Sequence, residues 1–208
     1  HTLEPLMDEI SREVMDPQTG VSVFQRSRAF EAVNAANSKD KKAALEKPGY
    51  KLEALGSGSD YSPFFQHLGI PSLNLGYGGE DGGGEYHSIY DSYDHYVRFK
   101  DPKFEYGIAL VKTAGRATLR LANADVLPFD FHAFHKTVSG YLDEVMLLLE
   151  NMREATEIEN RIIENKGYTY AADPTIKFVV PASKGPVPYL DFSSVQNAMS
   201  KLQTSSTR

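Results

Sequence analysis

Apolar residues recur at spacings of three and four along several stretches of this sequence, which predicts amphipathic helices. The predicted helices cover residues 3–15, 23–36, 60–68, 94–99 and 103–123, then 134–152 with helix resuming or continuing to about 165, and a last helix from Asp191. The helix over 103–123 is apolar on nearly all sides and is therefore expected to be buried. The apolar stripe from Phe134 to Met152 suits either a helix bundle or a partner subunit. The lysine-rich stretch 38–47 is predicted to be an exposed connection.

Between the helical stretches, the order of elements changes to that of an α/β sheet. Short strands are predicted at Lys51 to Leu55 and at Pro71 to Leu75, on either side of a small-residue turn and a helix. Residues 76–84 follow as a glycine-rich loop with large backbone freedom. The sequence thus predicts an α/β part followed by a helical part.

Composition narrows the classes of function. The chain has 208 residues and a formal net charge of -6, which argues against a nucleic acid partner because phosphate binding needs a basic face. It contains no cysteine, so disulfides and thiolate metal sites are excluded, and the redox compartment stays open. No apolar run reaches the roughly 18 residues that a membrane-spanning helix requires.

Two short segments could carry chemistry. The first contains Tyr86 and His87, where a neutral imidazole after a strand could bind zinc and Asp91 or Asp94 could orient it. The second is Ser57-Gly58-Ser59-Asp60, whose backbone N–H groups at a helix start could receive an anion or a substrate carboxylate. Each also has a purely structural interpretation, as a surface histidine and as a tight turn capped by Ser59 or Asp60.

These segments, taken with their neighbours, resemble the family of glutamate carboxypeptidase II and the transferrin receptor. The similarity is good from Leu55 to Asp130, and it includes Leu55 to Pro71, Glu85 to Asp91, Phe104 and the run Leu121 to Asp130. The resemblance implies that residues 1–125 are the C-terminal portion of an α/β zinc-peptidase domain. It also implies that residues 126–208 form the family's helical dimerisation domain.

The resemblance also implies roles for individual residues. His87 corresponds to the last zinc ligand of the family, and Tyr86 to the tyrosine whose hydroxyl polarises the scissile carbonyl and stabilises the oxyanion. Ser57, Gly58 and Ser59 lie where the family contacts substrate. Asp60 and Asp91 are expected to orient the substrate-contact residues and His87 without contacting the metal or the substrate themselves.

The acidic-substrate clamp of the family is not matched. Asn74 and Gly76 stand where glutamate-preferring members carry arginines, and neither can form a bidentate salt bridge with a carboxylate. The exact substrate stays open, with a broader peptide or dipeptide preference expected.

Most of the family's two-zinc site has no counterpart in this sequence. There is no Glu-Glu doublet and no His-x-Asp motif, and the histidines besides His87 lie at 1, 67, 95, 132 and 135. Surface placement is expected for the 132 and 135 pair. Zinc is the implied cofactor of the parent enzyme, two ions in the intact protein. This chain alone is expected to bind no stoichiometric zinc and to be inactive.

Three interpretations of the function follow from the resemblance. The first is a C-terminal segment of a dizinc exopeptidase that acts on peptides and forms a homodimer through its C-terminal helices. The second is a non-catalytic interaction module like the transferrin receptor, and the third is a nicked enzyme completed by an upstream chain of the same protein. The resemblance suggests an extracellular, periplasmic or membrane-anchored parent, but the location of this chain stays unknown.

Overall fold

The computed structural model describes residues 1–79 and 84–206, and more than half of the chain is helical. The chain divides into two compact units, residues 1–133 and 134–208. The helices are α1 (Glu4–Glu13), α2 (Val23–Asn34), α3 (Ser38–Leu45), α4 (Tyr93–His95), α5 (Glu105–Ala122), α6 (Phe131–Glu164), α7 (Gly167–Ala171) and α8 (Ser193–Ser206), with π-helical turns at Pro63–His67 and Tyr96–Lys100. None of these helices, within the described residues, combines the length and apolarity needed to cross a bilayer.

The core of the first unit forms around α1. Its apolar residues at spacings of three and four are buried, and Ile10 is completely shielded from solvent. On α5 the buried positions are small, with Ala109 and Ala117 in the same cluster as Leu6 and Met7. Small side chains on one helix let a bulkier apolar face approach closely, so α5 supplies a flat surface for α1.

The expected burial of the whole α5 surface is not observed. Ile108, Val111 and Leu119 are 51%, 70% and 62% exposed, and only the small-residue face is buried. The apolar sequence therefore forms a helix as predicted, but only one face of it meets the core of this chain.

The prediction of a connection at residues 38–47 is wrong, since Ser38–Leu45 is the helix α3. The side chain of Asn37 accepts a hydrogen bond from the backbone N–H of Asp40 at 3.0 Å and so caps the helix start. The helix is nevertheless mostly solvent-exposed, with Ala44 as its buried residue. A good cap and exposed lysines, which favour helix, outweighed the absence of an apolar stripe.

The two predicted strands are extended but do not form a sheet. In residues 1–79 and 84–206 the one β-bridge is the isolated pair Met15 and Ser22. Leu52, Leu73 and Leu75 still pack against the core of the first unit. A strand is defined by its hydrogen-bonded neighbour, and these two segments have none in the described chain, so the α/β architecture is not seen.

The second unit is built on the long helix α6. Its start is explained by Asp130, whose carboxylate accepts the backbone N–H of Ala133 at 2.7 Å and so caps the helix. The helix ends at Glu164, and Lys166 then adopts a left-handed φ of 55°. The short helix α7, absent from the sequence expectation, follows directly. Asn160 exchanges two 2.9 Å hydrogen bonds with the backbone of Lys184 and ties the proline-rich loop to α6.

Candidate functional site

The first candidate segment is a tight turn that leaves the glycine-rich loop, of which residues 80–83 lie outside the described residues. The backbone N–H of Ser88 donates to the carbonyl of Glu85 at 2.9 Å, and that of Asp91 donates to the carbonyl of Ser88 at 3.1 Å. Between them, His87 has a φ of 60°, a left-handed conformation that a non-glycine residue adopts at an energetic cost. The turn therefore holds the histidine in an unusual backbone state.

Tyr86 and His87 form one exposed aromatic pair at the tip of this turn. Their ring centroids lie 3.8 Å apart with an interplanar angle of 21°, and Tyr86 is 76% exposed. The Asp91 carboxylate accepts the backbone N–H of His87 at 3.3 Å. Asp91 thus contacts the histidine that it was expected to support, through the main chain of His87. Asp94, the other predicted helper, pairs instead with Arg98 at 3.1 Å.

An ion pair closes the base of the turn. The ammonium of Lys100, at the end of the second π-helical turn, lies 2.8 Å from the carboxylate of Glu85. The hydrogen bond from Lys100 lowers the pKa of Glu85 below its ordinary value. Sequence reasoning missed this contact, because opposite charges separated by a turn and a helix give no periodic signal.

The second candidate segment is a separate exposed turn. Gly58 has a φ of 86°, and the carbonyl of Ser59 accepts the backbone N–H of Ser62 at 2.9 Å. Ser62 precedes the π-helical turn without a side-chain cap, so the capping role expected of Ser59 or Asp60 is not seen. Ser57, Gly58, Ser59 and Asp60 are all exposed.

The structure does not join the two candidate segments. Within the described residues, no hydrogen bond or ion pair links residues 57–60 to residues 86–91. One turn holds Tyr86, His87 and Asp91 in contact with one another. The serine turn makes no hydrogen bond or ion pair with them in the described part of the chain. Asn74 and Gly76, the positions of the unmatched clamp, are exposed.

His87 fits the role of one zinc ligand, but the described residues do not fit a zinc site by themselves. A catalytic zinc takes three protein ligands and keeps one position open. In the described ranges, no group of three or more His, Asp or Glu side chains could hold a metal ion.

Comparison with known proteins gives the class of the chain. No family model matches it. It is 33% identical over 151 residues to a probable glutamate carboxypeptidase (VP8) of Zea mays, which covers 72% of this chain and 19% of that protein. A probable glutamate carboxypeptidase (LAMP1) of Arabidopsis thaliana is 31% identical over 177 residues, or 85% of this chain and 21% of that protein. Aminopeptidase NAALADL1 of Mus musculus is 32% identical over 113 residues, 51% of this chain and 15% of that protein.

These relatives are peptidases, so the chain is homologous to part of a peptidase. More narrowly, its homologues are glutamate carboxypeptidase-like proteins and an aminopeptidase, as the resemblance of its motifs implied. The chain spans about a fifth of the length of the two plant relatives. This partial coverage does not establish the activity of the whole relatives for this chain.

Proposed function

We propose that this chain supplies part of the active site of a zinc-dependent exopeptidase of the carboxypeptidase or dipeptidase kind. The observation that carries the proposal is the Tyr86–His87 pair, exposed on a turn whose backbone is held by Asp91. The left-handed backbone of His87 is uncommon for a non-glycine residue, and such conformations concentrate at functional sites. The similarity to carboxypeptidases and an aminopeptidase supports the same reaction class.

In the proposed site each residue has a separate role. His87 offers a neutral imidazole nitrogen to one zinc ion. The hydroxyl of Tyr86 donates a hydrogen bond to the oxyanion that develops when the peptide carbonyl is attacked. Ser57, Gly58 and Ser59 present backbone and hydroxyl groups to the substrate chain. When bound, a zinc pair supplies Lewis-acid activation of water and carbonyl.

The extended segments at residues 51–55 and 71–75 support an α/β role in the intact protein. Leu52, Leu73 and Leu75 point into the core of the first unit. Leu73 and Leu75 are alternate residues, as expected of a strand with one face on a helical layer. We propose that both segments become strands when a neighbouring strand is present.

We also propose that α6 contributes a homodimer contact. Tyr141, Val145, Leu148 and Met152 repeat at spacings of three and four and are between 41% and 58% exposed. A second copy of this helix would cover such a stripe with like side chains, the arrangement that a two-fold interface requires. The same exposed stripe favours the alternative function, a non-catalytic dimerisation module resembling the transferrin receptor.

The experiment that separates these functions measures zinc and hydrolysis in the same samples. It uses the longest form of the protein that can be expressed from its gene, as wild type, His87→Ala and His67→Ala. His67 is the matched control, because it is an exposed histidine like His87 but lies on a π-helical turn and has no proposed role. Zinc content follows from metal analysis, and activity from a panel of acidic and neutral dipeptides.

For a zinc exopeptidase we expect bound zinc and hydrolysis in wild type and His67→Ala, with loss of both in His87→Ala. Zinc-free, inactive wild-type protein that still dimerises would instead establish the non-catalytic module. This chain of 208 residues, measured alone, is expected to hold less than one zinc ion. Full zinc loading and hydrolysis by that chain would contradict the proposal that it supplies only part of the zinc site.

A further inference from the structure

The turn that carries His87 is under backbone strain and needs restraint. His87 is one of three described non-glycine residues with a positive φ, at 60°. Its backbone N–H is held by Asp91, and the turn is closed by the bond from Ser88 to the Glu85 carbonyl. These contacts are all local, lying within the seven successive residues 85–91. A strained local conformation persists only when the surrounding structure fixes it more firmly.

The ion pair of Glu85 and Lys100 is the contact that fixes the turn from outside. Its two ends are fifteen positions apart (100 minus 85), and they enclose the whole segment that contains Tyr86, His87 and Asp91. The pair is short, at 2.8 Å, and both side chains are partly covered, with 34% exposure for Lys100 and 23% for Glu85. Partly covered charges at this distance are screened less by salt than fully exposed ones.

Lys47 and Glu31 form a comparable pair, at 2.8 Å across sixteen positions, but two other ion pairs of the described residues differ from that of Glu85 and Lys100. Lys42 and Glu46 lie 3.7 Å apart with side chains 75% and 67% exposed, and Arg98 and Asp94 are 65% and 68% exposed. Both of those pairs join positions one helical turn apart and therefore fix no loop. An exposed pair of this kind contributes little to stability.

We propose that Glu85 and Lys100 are positioning residues that together hold His87 in its left-handed conformation and Tyr86 stacked upon it. The carboxylate lies on the residue directly before Tyr86, so its anchoring to Lys100 fixes where the turn begins. The purpose of this restraint rests on the proposed function, since it presents the imidazole and the phenol to a metal and a substrate. The restraint itself is a property of this chain and can be measured without either.

The conformation is tested by nuclear magnetic resonance on the chain itself. Backbone carbon shifts and the amide coupling of His87 report the sign of φ in wild type, Lys100→Met, Glu85→Gln and the charge-reversed double variant E85K/K100E. Lys100→Arg serves as the conservative replacement, and Lys42→Met as a matched loss of an exposed lysine pair. Circular dichroism establishes that each variant is folded.

We expect both single neutral variants to lose the positive-φ signature of His87. The double reversal and Lys100→Arg restore it, because each keeps an ion pair across the turn. Lys42→Met leaves it unchanged. A positive-φ signature that persists in Lys100→Met and Glu85→Gln would overturn the proposal. So would its loss in those variants with no recovery in E85K/K100E, since the pair would then not be the cause.

A second measurement separates this inference from the proposed function. Zinc affinity of the longest expressible form is measured by chelator competition in the same variants. Groups that orient a metal ligand typically change affinity by about 10- to 100-fold, and we expect a loss of about that size in Lys100→Met with recovery in Lys100→Arg. If the His87 conformation changes but zinc binding does not, the positioning role stands and the assignment of His87 as a ligand fails.

Discussion

The carboxylate of Glu4 accepts a hydrogen bond from the backbone N–H of Leu52 at 3.0 Å. One helical turn further along α1, Asp8 accepts the N–H of Tyr50 at 2.6 Å. Two carboxylates spaced by four residues therefore occupy alternate N–H groups of an extended segment. In a sheet, these alternate groups would face one neighbouring strand, so the helix α1 covers part of that edge.

Removal of the Asp8 carboxylate tests how much this contact contributes. Asp8→Ala leaves the N–H of Tyr50 without its partner and also removes the 3.1 Å pair with Arg12. We expect the free energy of unfolding to fall by about 1–3 kcal/mol, the cost of an unsatisfied, partly buried donor. Urea titration followed by circular dichroism measures this. Glu46→Ala, which removes an exposed pair, should stay within about 0.5 kcal/mol of wild type; equal effects in both variants would contradict the assignment.

Asp101 is expected to be the most costly acidic residue to replace near the candidate site. It is 4% exposed, and one carboxylate oxygen accepts both the N–H of Gly107 at 2.8 Å and the hydroxyl of Tyr96 at 3.2 Å. Asp101→Ala should lower the free energy of unfolding by about 1–3 kcal/mol at neutral pH, since it leaves those donors unsatisfied. Asp125→Ala, an exposed change in the same region, serves as the control in urea titrations.

The same residue predicts a pH dependence. Burial alone would raise the pKa of Asp101, but hydrogen bonds from Gly107, Tyr106 and Tyr96 outweigh it and lower the pKa below the ordinary value of 3.8. A lowered pKa in the folded state stabilises the fold above pH 3.8, and this stabilisation is lost as pH falls through the folded pKa. The gap in unfolding free energy between wild type and Asp101→Asn should therefore narrow below that pH. A constant gap from pH 6 to pH 2 would show that the charge of Asp101 does not contribute.

Tyr86→Phe separates the two members of the aromatic pair. Phenylalanine keeps the ring that stacks on His87 but removes the hydroxyl that would stabilise an oxyanion. In the longest expressible form, kcat should fall by about 100- to 1000-fold while KM and zinc content stay near wild type. Steady-state kinetics on the best dipeptide measures this. Unchanged kcat would remove Tyr86 from the proposed mechanism, whereas loss of zinc would show a structural role.

Dimerisation through α6 is tested by charges placed on its exposed stripe. We expect wild-type chain to dimerise and Val145→Asp with Leu148→Asp to be monomeric, because two carboxylates would be buried against like residues. Light scattering during gel filtration measures the mass. Lys136→Asp changes net charge by the same amount on the opposite side of the helix, and it should remain dimeric. A monomeric wild type, or dimers in all three proteins, would contradict this interface.

Helices with a regular apolar pattern could be predicted from the sequence with small errors at their ends. The helix expected over 3–15 is α1 at Glu4–Glu13, and that expected over 103–123 is α5 at Glu105–Ala122. The domain boundary expected at residue 125 stays a prediction. The two compact units of the structure divide after residue 133.

The candidate site could be predicted only in part. The residue types and order identified Tyr86, His87 and Asp91 as neighbours, because they lie within six positions of each other. The contact of Asp91 with the main chain of His87, and the ion pair of Glu85 with Lys100, depend on how the turn folds back. The roles of the serine turn and of His87 as a ligand stay predictions.

The sequence by itself determined the regularly patterned helices α1 and α5, the absence of thiolate chemistry and the resemblance to glutamate carboxypeptidases, because periodicity, composition and local motifs are properties of neighbouring residues. Only the tertiary structure decided which face of α5 is buried, whether residues 51–55 and 71–75 pair as strands, and that His87 has a positive φ. Those features depend on contacts between distant parts of the chain. A strand needs a hydrogen-bonded partner strand, and a strained turn needs contacts that hold it. Neither the partner nor these contacts can be identified from the sequence of the segment alone.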